Sequence, residues 1–258
     1  MNDREDHARA AEPLAAYAPG PVTRRLTPVT RWIITNVIAP PCVFLLFSLL
    51  NRTRIYGRRR IPRTANTLIL SNHQSMIDSF PLAYFLFYPE KVFRPHLAPW
   101  NAAAQENFFS SPFLAWVFDQ FKCIPVRRGR RDLKALLRCA RELRRGTMML
   151  FPEGTRSRDG KVGRGRAGAG MVILQTRPCV LPVTIDGMDR ILPIGARFPR
   201  VGRRLSIYIG RPLDYEDLAD EGRSREVAQR IVDRAMHRVR FQRRVLARLD
   251  RGGSSRGS

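Results

Sequence analysis

The chain has 258 residues, of which 44% are hydrophobic, and this composition excludes a fully disordered protein and predicts one main domain with a sizeable core. Its 46 lysine and arginine residues outnumber 22 acidic residues, so the net charge is +24, and arginine supplies nearly all of the excess. Such a charge predicts affinity for polyanions, which include nucleic acids, anionic lipid headgroups and phosphorylated substrates.

The N-terminal region contains an uncharged apolar stretch. Residues 1–28 are rich in alanine, proline and charge without periodicity, so we expect a flexible tail that is not a secretory signal. Within residues 29–53, the stretch 32–50 has no charged residue and approaches the roughly 20 residues that span a bilayer. We therefore expect a membrane-embedded helical segment. Because Pro40 and Pro41 interrupt it, it can be a spanning helix, two short helices in one leaflet, or a hairpin buried on the core.

Strand and helix signals alternate from residue 54 to residue 215. The expected strands are TLILS (67–71), CIPV (123–126), TMMLF (147–151), CVLPVTI (179–185) and RLSIYIG (204–210). The expected helices are MIDSFPLAYFLF (76–87) and LKALLRCARELRR (133–145), the second capped by Asp132 and ended by Gly146. Its expected buried face consists of Leu133, Leu136, Leu137, Ala140 and Leu143. This alternation predicts an α/β fold, with a mostly parallel sheet flanked by helices.

Residues 216–258 are expected to form a basic helix and a short tail. The apolar side of this helix would carry Val227, Ile231, Val232, Ala235 and Val239. Its basic side can face solvent or lipid. The four cysteines lack the spacing of a zinc site and are expected to be reduced thiols, namely Cys42, Cys123, Cys139 and Cys179.

Two polar motifs follow expected strands. His73 and Asp78 lie in SNHQSMIDSF, directly after TLIL. On one continuous helix a spacing of five separates the two side chains by about 140°. If His73 lies instead in the turn before the helix, the carboxylate can orient the imidazole as a general base.

The second motif, FPEGTRS (151–157), follows TMML, at the end of an expected parallel strand. Such strand ends open onto the crevice where ligands bind in α/β proteins. Gly154 permits close backbone approach, Glu153 offers a carboxylate, and Thr155 and Arg156 offer donors suited to a phosphate.

NHQSMID and FPEGTRS, about 80 residues apart, together resemble the signature of the glycerolipid acyltransferases, which include 1-acylglycerol-3-phosphate O-acyltransferases. The resemblance covers residues 56–212 and implies the glycerol-phosphate acyltransferase-like fold. It implies that His73 is the general base and that Asp78 orients it.

The resemblance also implies a substrate-binding set, made of Arg128, Glu153, Gly154, Thr155 and Arg156. In KCIPVRR, which matches the basic motif that carries Arg128, Lys122 stands where many relatives have glycine. Downstream, Arg166 in GRGRAGAG stands where relatives often have lysine, which leaves the acceptor contacts of that loop open.

The implied reaction moves a fatty acyl group from a thioester to the free hydroxyl of a lysophospholipid, above all 1-acylglycerol 3-phosphate, giving phosphatidic acid. The donor would be acyl-CoA or acyl carrier protein, and no metal or further cofactor is expected. Other lysophospholipids, glycerol 3-phosphate and acylated amino-acid lipids fit the same motifs as acceptors. The arginine-rich composition is typical of a GC-rich bacterial genome, so we expect an enzyme on an anionic membrane surface, at the inner membrane with its active site facing the cytoplasm.

Two other classes of protein fit parts of the sequence. A nucleic-acid-binding protein would account for the charge, but the sequence has no recognisable nucleic-acid-binding motif. A lipid hydrolase would need Ser71 or Ser75 as its nucleophile, and the sequence has no GxSxG motif. Both are weaker predictions than acyl transfer.

Overall fold

The computed structural model describes residues 21–104, 111–127 and 132–252. Its strands are β1 (Arg52–Tyr56), β2 (Thr67–Ser71), β3 (Trp100–Ala104), β4 (Cys123–Val126), β5 (Thr147–Leu150), β6 (Cys179–Asp186) and β7 (Arg204–Ile209). Its α-helices are α1 (Pro21–Ile33), α2 (Ala39–Phe44), α3 (Ser79–Phe87), α4 (Pro112–Gln120), α5 (Leu133–Arg145), α6 (Ala167–Thr176), α7 (Met188–Ile191), α8 (Glu216–Ala219) and α9 (Arg225–Gly252).

The strands of the described residues form one seven-stranded sheet in the order β1-β7-β6-β2-β5-β3-β4. All neighbouring strands are parallel except β6 and β7, which are antiparallel. The predicted mostly parallel α/β fold is therefore confirmed. Strand β2 lies between β6 and β5, so the segments that follow β2 and β5, which carry the two motifs, leave the same edge of the sheet side by side.

Helices cover both faces of the sheet, and each face has its own apolar core. On one face, α5, α6 and α9 pack with strand residues such as Leu68 and Met148. On the other face, α3 packs with Val43 and Phe47 of the N-terminal helical segment. The five predicted apolar residues of α9 are all buried, and all of them except Val239 belong to the first core. The apolar side of α9 therefore packs into the core formed with the sheet.

The N-terminal segment is one continuous helical run, and it begins at Pro21, inside the predicted tail of residues 1–28. The run passes from α1 through a π-helical segment (Ile34–Ile38) into α2 and a second π-helical segment (Leu45–Leu49). Two short helices divided at the prolines, and a buried hairpin, are therefore both wrong. A proline ring clashes with the carbonyl four residues earlier in a regular helix, and the wider π-turn contains those carbonyls for Pro40 and Pro41.

Helix α5 has the predicted bounds, and the Asp132 side chain accepts a hydrogen bond from the Ala135 N–H at 3.0 Å. Its predicted apolar face is partly wrong. Leu133 and Leu137 are exposed, whereas Ala135 and Cys139 are buried with two of the predicted residues. Small side chains at these two positions let the helix approach the sheet closely, and the helix is rotated so that they are buried and Leu133 and Leu137 are exposed. None of the four cysteines forms a disulfide.

Candidate active site

The turn after β2 brings His73 and Asp78 together. Residues 72–78 are not helical, and α3 begins only at Ser79, so Asp78 lies at the start of the helix and His73 in the preceding turn. His73 Nδ1 lies 2.8 Å from Asp78 Oδ2. The same carboxylate oxygen accepts hydrogen bonds from the backbone N–H groups of Gln74 at 2.6 Å and Ser75 at 2.9 Å. The carboxylate therefore fixes both the turn and the ring.

The environments of the two side chains differ. Asp78 is fully buried, whereas 17% of the His73 side chain remains exposed. The imidazole stacks on Phe151, with the ring centroids 4.4 Å apart. Within the described residues, Nε2 of His73 forms no hydrogen bond. A neutral ring that donates from Nδ1 to Asp78 presents Nε2 as a free acceptor, as a general base requires.

FPEGTRS binds the backbone of His73 on both sides. The His73 N–H donates to Glu153 Oε1 at 3.1 Å, and the His73 carbonyl accepts from the Ser157 N–H at 2.8 Å. The other oxygen of Glu153 accepts from the Gly163 N–H at 2.9 Å. The two motifs, 80 residues apart, thus form one site.

The carboxylate of Glu153 points into the protein. Only 7% of the residue is exposed, and both oxygens accept backbone hydrogen bonds. Burial raises the pKa of Glu153 above the usual range of a glutamate, and the N–H groups of Gly163 and His73 oppose that rise. The Glu153 carboxylate thus links the His73 turn to the Gly163 loop, and its contact with the acceptor stays a prediction.

The other expected substrate-binding residues lie at the surface of the site. Gly154 has a φ of 70°, a conformation that glycine adopts without strain, and its missing Cβ would lie 3.3 Å from Arg166 Nε. Gly154 and Thr155 are exposed and Arg156 is half-buried. Neither Thr155 nor Arg156 has a hydrogen-bonding or ionic partner within the described ranges. Arg128 lies outside the described residues.

Two buried side-chain amides, which the sequence did not predict, hold the His73 turn against the end of β6 and the residues that follow it. Asn72 bonds both backbone groups of Ile185 in β6, through Nδ2 to the carbonyl at 2.8 Å and through Oδ1 from the N–H at 2.9 Å. Gln74 Oε1 accepts from the N–H groups of Gly187 and Met188. The available signal was the run of polar residues directly after a fully apolar strand, because polar side chains buried in such a turn must find partners.

Helix α9 also reaches the site, which its sequence did not predict. Gln229 donates to the Gly165 carbonyl at 2.9 Å, and Arg243 donates to the Gly160 carbonyl. Arg243 Nε also lies 3.2 Å from Asp186 Oδ1 at the end of β6. These contacts fix the segment 160–165, whose Gly163 binds Glu153. The described residues contain no group of three or more potential metal-binding side chains.

The chain thus combines a mostly parallel α/β sheet with a candidate active site, in which a histidine–aspartate turn contacts a glycine-containing loop. The profile of the acyltransferase family matches residues 52–186, more than half of the chain and both motifs. The chain belongs to the acyltransferase family.

Individual relatives agree with this assignment. The chain is 28% identical over 181 residues to the chloroplastic 1-acyl-sn-glycerol-3-phosphate acyltransferase LPAT1 of Arabidopsis thaliana, covering 67% of this chain and 48% of the relative. It is 28% identical over 213 residues to Tafazzin of Drosophila melanogaster, covering 78% and 56%. The chain thus spans about half the length of the curated relatives it matches.

A solved structure has the same fold. The crystal structure of the 1-acyl-sn-glycerophosphate acyltransferase PlsC from Thermotoga maritima superposes with a TM-score of 0.58 at 24% identity, covering 83% of this chain and 81% of that one.

Proposed function

We propose that this chain transfers a fatty acyl group from an acyl thioester to the free hydroxyl of 1-acylglycerol 3-phosphate, giving phosphatidic acid. The observation that carries the proposal is the contact of 2.8 Å between His73 Nδ1 and the buried Asp78, which leaves Nε2 free at the surface of the site. Membership of the acyltransferase family gives the reaction class. Several relatives are named 1-acyl-sn-glycerol-3-phosphate acyltransferase, which supports the choice of acceptor.

In the proposed reaction, His73 Nε2 takes the proton of the acceptor hydroxyl while its oxygen attacks the thioester carbonyl. The imidazolium is stabilised by Asp78. The tetrahedral intermediate then collapses, the carbon–sulfur bond breaks, and the leaving thiolate takes up the proton held by the imidazolium, which returns His73 to its neutral form. A covalent acyl-enzyme is not needed, because the acceptor oxygen forms the new ester directly. We propose acyl-CoA or acyl carrier protein as the thioester.

The acceptor phosphate would lie beside the FPEGTRS loop. Arg156 is half-buried without a carboxylate partner in the described ranges, and the Arg166 guanidinium lies beside Gly154. Two guanidinium groups near an open glycine turn suit a phosphate, because each can donate two parallel hydrogen bonds to its oxygens. We propose that these arginines hold the phosphate and so orient the hydroxyl toward His73.

The proposal is tested by measuring thiol release from palmitoyl-CoA by the detergent-purified protein, with and without 1-acylglycerol 3-phosphate. Acceptor-dependent release together with phosphatidic acid in the product is the expected result. One relative is named N-acylphosphatidylethanolamine synthase, so phosphatidylethanolamine is included as a second acceptor. If neither acyl-CoA nor acyl-loaded carrier protein gives acceptor-dependent release, the proposed reaction is wrong.

Replacing Arg156 with alanine is expected to raise the KM for 1-acylglycerol 3-phosphate about 10-fold or more, because a hydrogen bond to a charged group contributes about 1.5–3 kcal/mol. The KM for the thioester should change little. Steady-state kinetics with each substrate varied in turn measure both constants.

The matched control is Arg158→Ala, which removes an exposed arginine two positions further along the same loop. It should leave both constants within about twofold of the parent protein. Equal increases in the two KM values of Arg156→Ala would argue against a phosphate ligand at this position.

We also propose that the N-terminal helical run binds the membrane. Residues Arg25–Leu49 form a helix long and apolar enough to cross a bilayer, and only 17% of its most apolar stretch is buried within the protein. Exposed apolar side chains along it include Val37, Phe44 and Leu49. An apolar surface of this extent needs cover in water, and lipid provides it.

The double substitution Leu45→Asp and Leu49→Asp is expected to lower binding to lipid vesicles about 100-fold, because burial of each leucine contributes about 1.5–3 kcal/mol. Both leucines are exposed, so the core contacts of Val43 and Phe47 are kept. Deleting the whole segment would remove these core contacts and confuse release with unfolding. Flotation with vesicles containing phosphatidylglycerol measures binding.

The control carries the same chemical change at Leu133 and Leu137, which are exposed on α5 across the sheet. It should float like the parent protein. Equal flotation of the Leu45/Leu49 variant and the parent would show that another surface binds the membrane.

A further inference from the structure

A partly open cleft with a cavity volume of about 60 Å³ lies between the N-terminal helical run and α3. Its walls include Thr35 and Val43 from the N-terminal run and Ala83 from α3, and it also contains basic side chains. His73, Glu153 and Arg156 do not line it. The cleft is therefore open to a ligand that the proposed reaction does not account for.

Three cationic side chains line this cleft, and only one has a carboxylate partner in the described ranges. Arg31 forms an ion pair with Asp119 at 2.9 Å. Lys91 is 8% exposed, and its Nζ donates to the Thr35 carbonyl at 2.9 Å. Lys122 Nζ donates to the carbonyls of Ala98 at 2.9 Å and Pro95 at 3.2 Å. The ammonium groups of the buried Lys91 and the half-buried Lys122 are thus bonded to neutral oxygens, and neither has a carboxylate partner in the described ranges.

The hydrogen bond from Lys91 to Thr35 has a structural cause, and it uses only one of the three donors of the ammonium group. In a π-turn the Thr35 carbonyl would accept from the residue five positions later, which is Pro40 and has no N–H. Lys91 supplies the missing donor. An ammonium group has three donors, so two remain for a ligand in the cleft.

Lys122 is held in the cleft by a backbone conformation that favours glycine. Its φ is 55°, in the left-handed region, which costs a non-glycine residue about 1–2 kcal/mol. Its ammonium lies 5.5 Å from the centre of the Trp100 ring, which Arg31 and Arg138 also approach. The chain therefore carries a lysine at a strained position and directs the amine into a cluster of positive charge.

The surroundings of the two lysines weaken their protonation. Burial lowers the pKa of Lys91 to about 8. Burial, and then the nearby Arg31, lower the pKa of Lys122 to about 8, while Glu142 acts in the opposite direction. A negatively charged ligand would reverse these effects, because an opposite charge within about 4–6 Å favours the protonated amine.

We propose that this cleft binds an anionic amphiphile, with its phosphate or carboxylate head between Lys91 and Lys122 and its chain along Val43, Phe80 and Ala83. The cations supply the recognition of charge, and the apolar walls supply the preference for an amphiphile over a free anion. This site is additional to the proposed acyl-transfer site, and binding to it does not depend on turnover.

Lysine reactivity tests the proposal, because the chain has only four lysines and two of them lie outside the cleft. Lys134 and Lys161 are exposed and serve as internal controls. The protein in dodecyl maltoside micelles is reductively methylated at pH 8, and mass spectrometry follows each lysine. The probes are dodecyl phosphate, additional dodecyl maltoside and inorganic phosphate.

Dodecyl phosphate is expected to slow methylation of Lys91 and Lys122 about fivefold relative to Lys134 and Lys161. A pKa near 8 leaves about half of each amine neutral at pH 8, and a rise of about one unit leaves about a tenth. Equal protection by inorganic phosphate or by the neutral detergent would overturn the assignment to an anionic amphiphile. Unchanged rates, or equal slowing of all four lysines by the charged micelle, would overturn the site.

Lys122→Gly is the decisive variant, since glycine relieves the left-handed backbone while removing the amine. Protection of Lys91 by dodecyl phosphate should fall by at least half in this variant and should stay unchanged in Lys134→Ala, which removes an exposed amine. Thermal melting confirms that both variants are folded. Full protection of Lys91 in folded Lys122→Gly would show that the head does not bind between the two lysines.

Discussion

His73→Ala is expected to lower acceptor-dependent thiol release about 10²–10⁴-fold, the usual contribution of a general base. The side chain makes a stacking contact with Phe151 and a hydrogen bond with Asp78, but the N–H and carbonyl that bind FPEGTRS belong to the backbone and remain. The loss should therefore fall on turnover, and the melting temperature should change by only a few degrees. Thiol release with saturating substrates measures it.

The control is His237→Ala, which removes an exposed histidine from α9 and should leave turnover unchanged. Turnover of folded His73→Ala within tenfold of the parent would remove His73 from the proposed role. Because release is measured with and without acceptor, hydrolysis of the thioester is separated from transfer. Release that needs no acceptor and persists in the variant would indicate a thioesterase.

Most of the sheet could be predicted from local sequence, because apolar runs such as TLIL and TMML are bounded by clear turn signals. All five predicted strands are present. Strands β1 and β3 were missed. RTRIY is basic, and WNAAA is mostly alanine, which has low strand propensity. Both become strands because parallel neighbours supply their hydrogen bonds, and that pairing is not visible in the local sequence.

The helix conformation at Pro40 and Pro41 could not be predicted from the chemistry of proline alone. Pro40 and Pro41 indicated a break in the helix. Instead, a π-turn accommodates the proline rings, and Lys91, about 50 residues later in the chain, donates to the Thr35 carbonyl. Long-range partners of this kind carry no signal in the sequence near residue 40. The same holds for α9, whose basic face was expected to meet solvent or lipid and instead sends Arg243 to the Gly160 carbonyl.

The residues of the candidate site could be predicted from the sequence, but several of their contacts could not. The turn geometry required for His73 and Asp78 is present. The resemblance implied a place for Glu153 in the acceptor site, and the structure adds that two backbone N–H groups, one from His73 and one from Gly163, hold its carboxylate inside. Backbone donors are common to all sequences, so no pattern of side chains indicates which of them will receive a buried carboxylate.

Asp78→Asn is expected to lower kcat about 10²–10⁴-fold while changing the acceptor KM by less than about threefold. Asp78 Oδ2 accepts from the His73 ring and two backbone N–H groups, and an amide oxygen at the same place can accept all three. The amide nitrogen would replace Oδ1, which is buried without a partner in the described residues. The turn should therefore survive, and the missing feature is the negative charge that stabilises the imidazolium.

The matched control is Asp217→Asn, which makes the same chemical change at an exposed carboxylate paired with Arg234 and should leave kcat unchanged. Steady-state kinetics and thermal melting of both variants separate charge from folding. If kcat of folded Asp78→Asn stays within tenfold of the parent, the carboxylate serves only to shape the turn. If the negative charge of Asp78 stabilises the His73 imidazolium, its removal should lower kcat and leave the melting temperature unchanged.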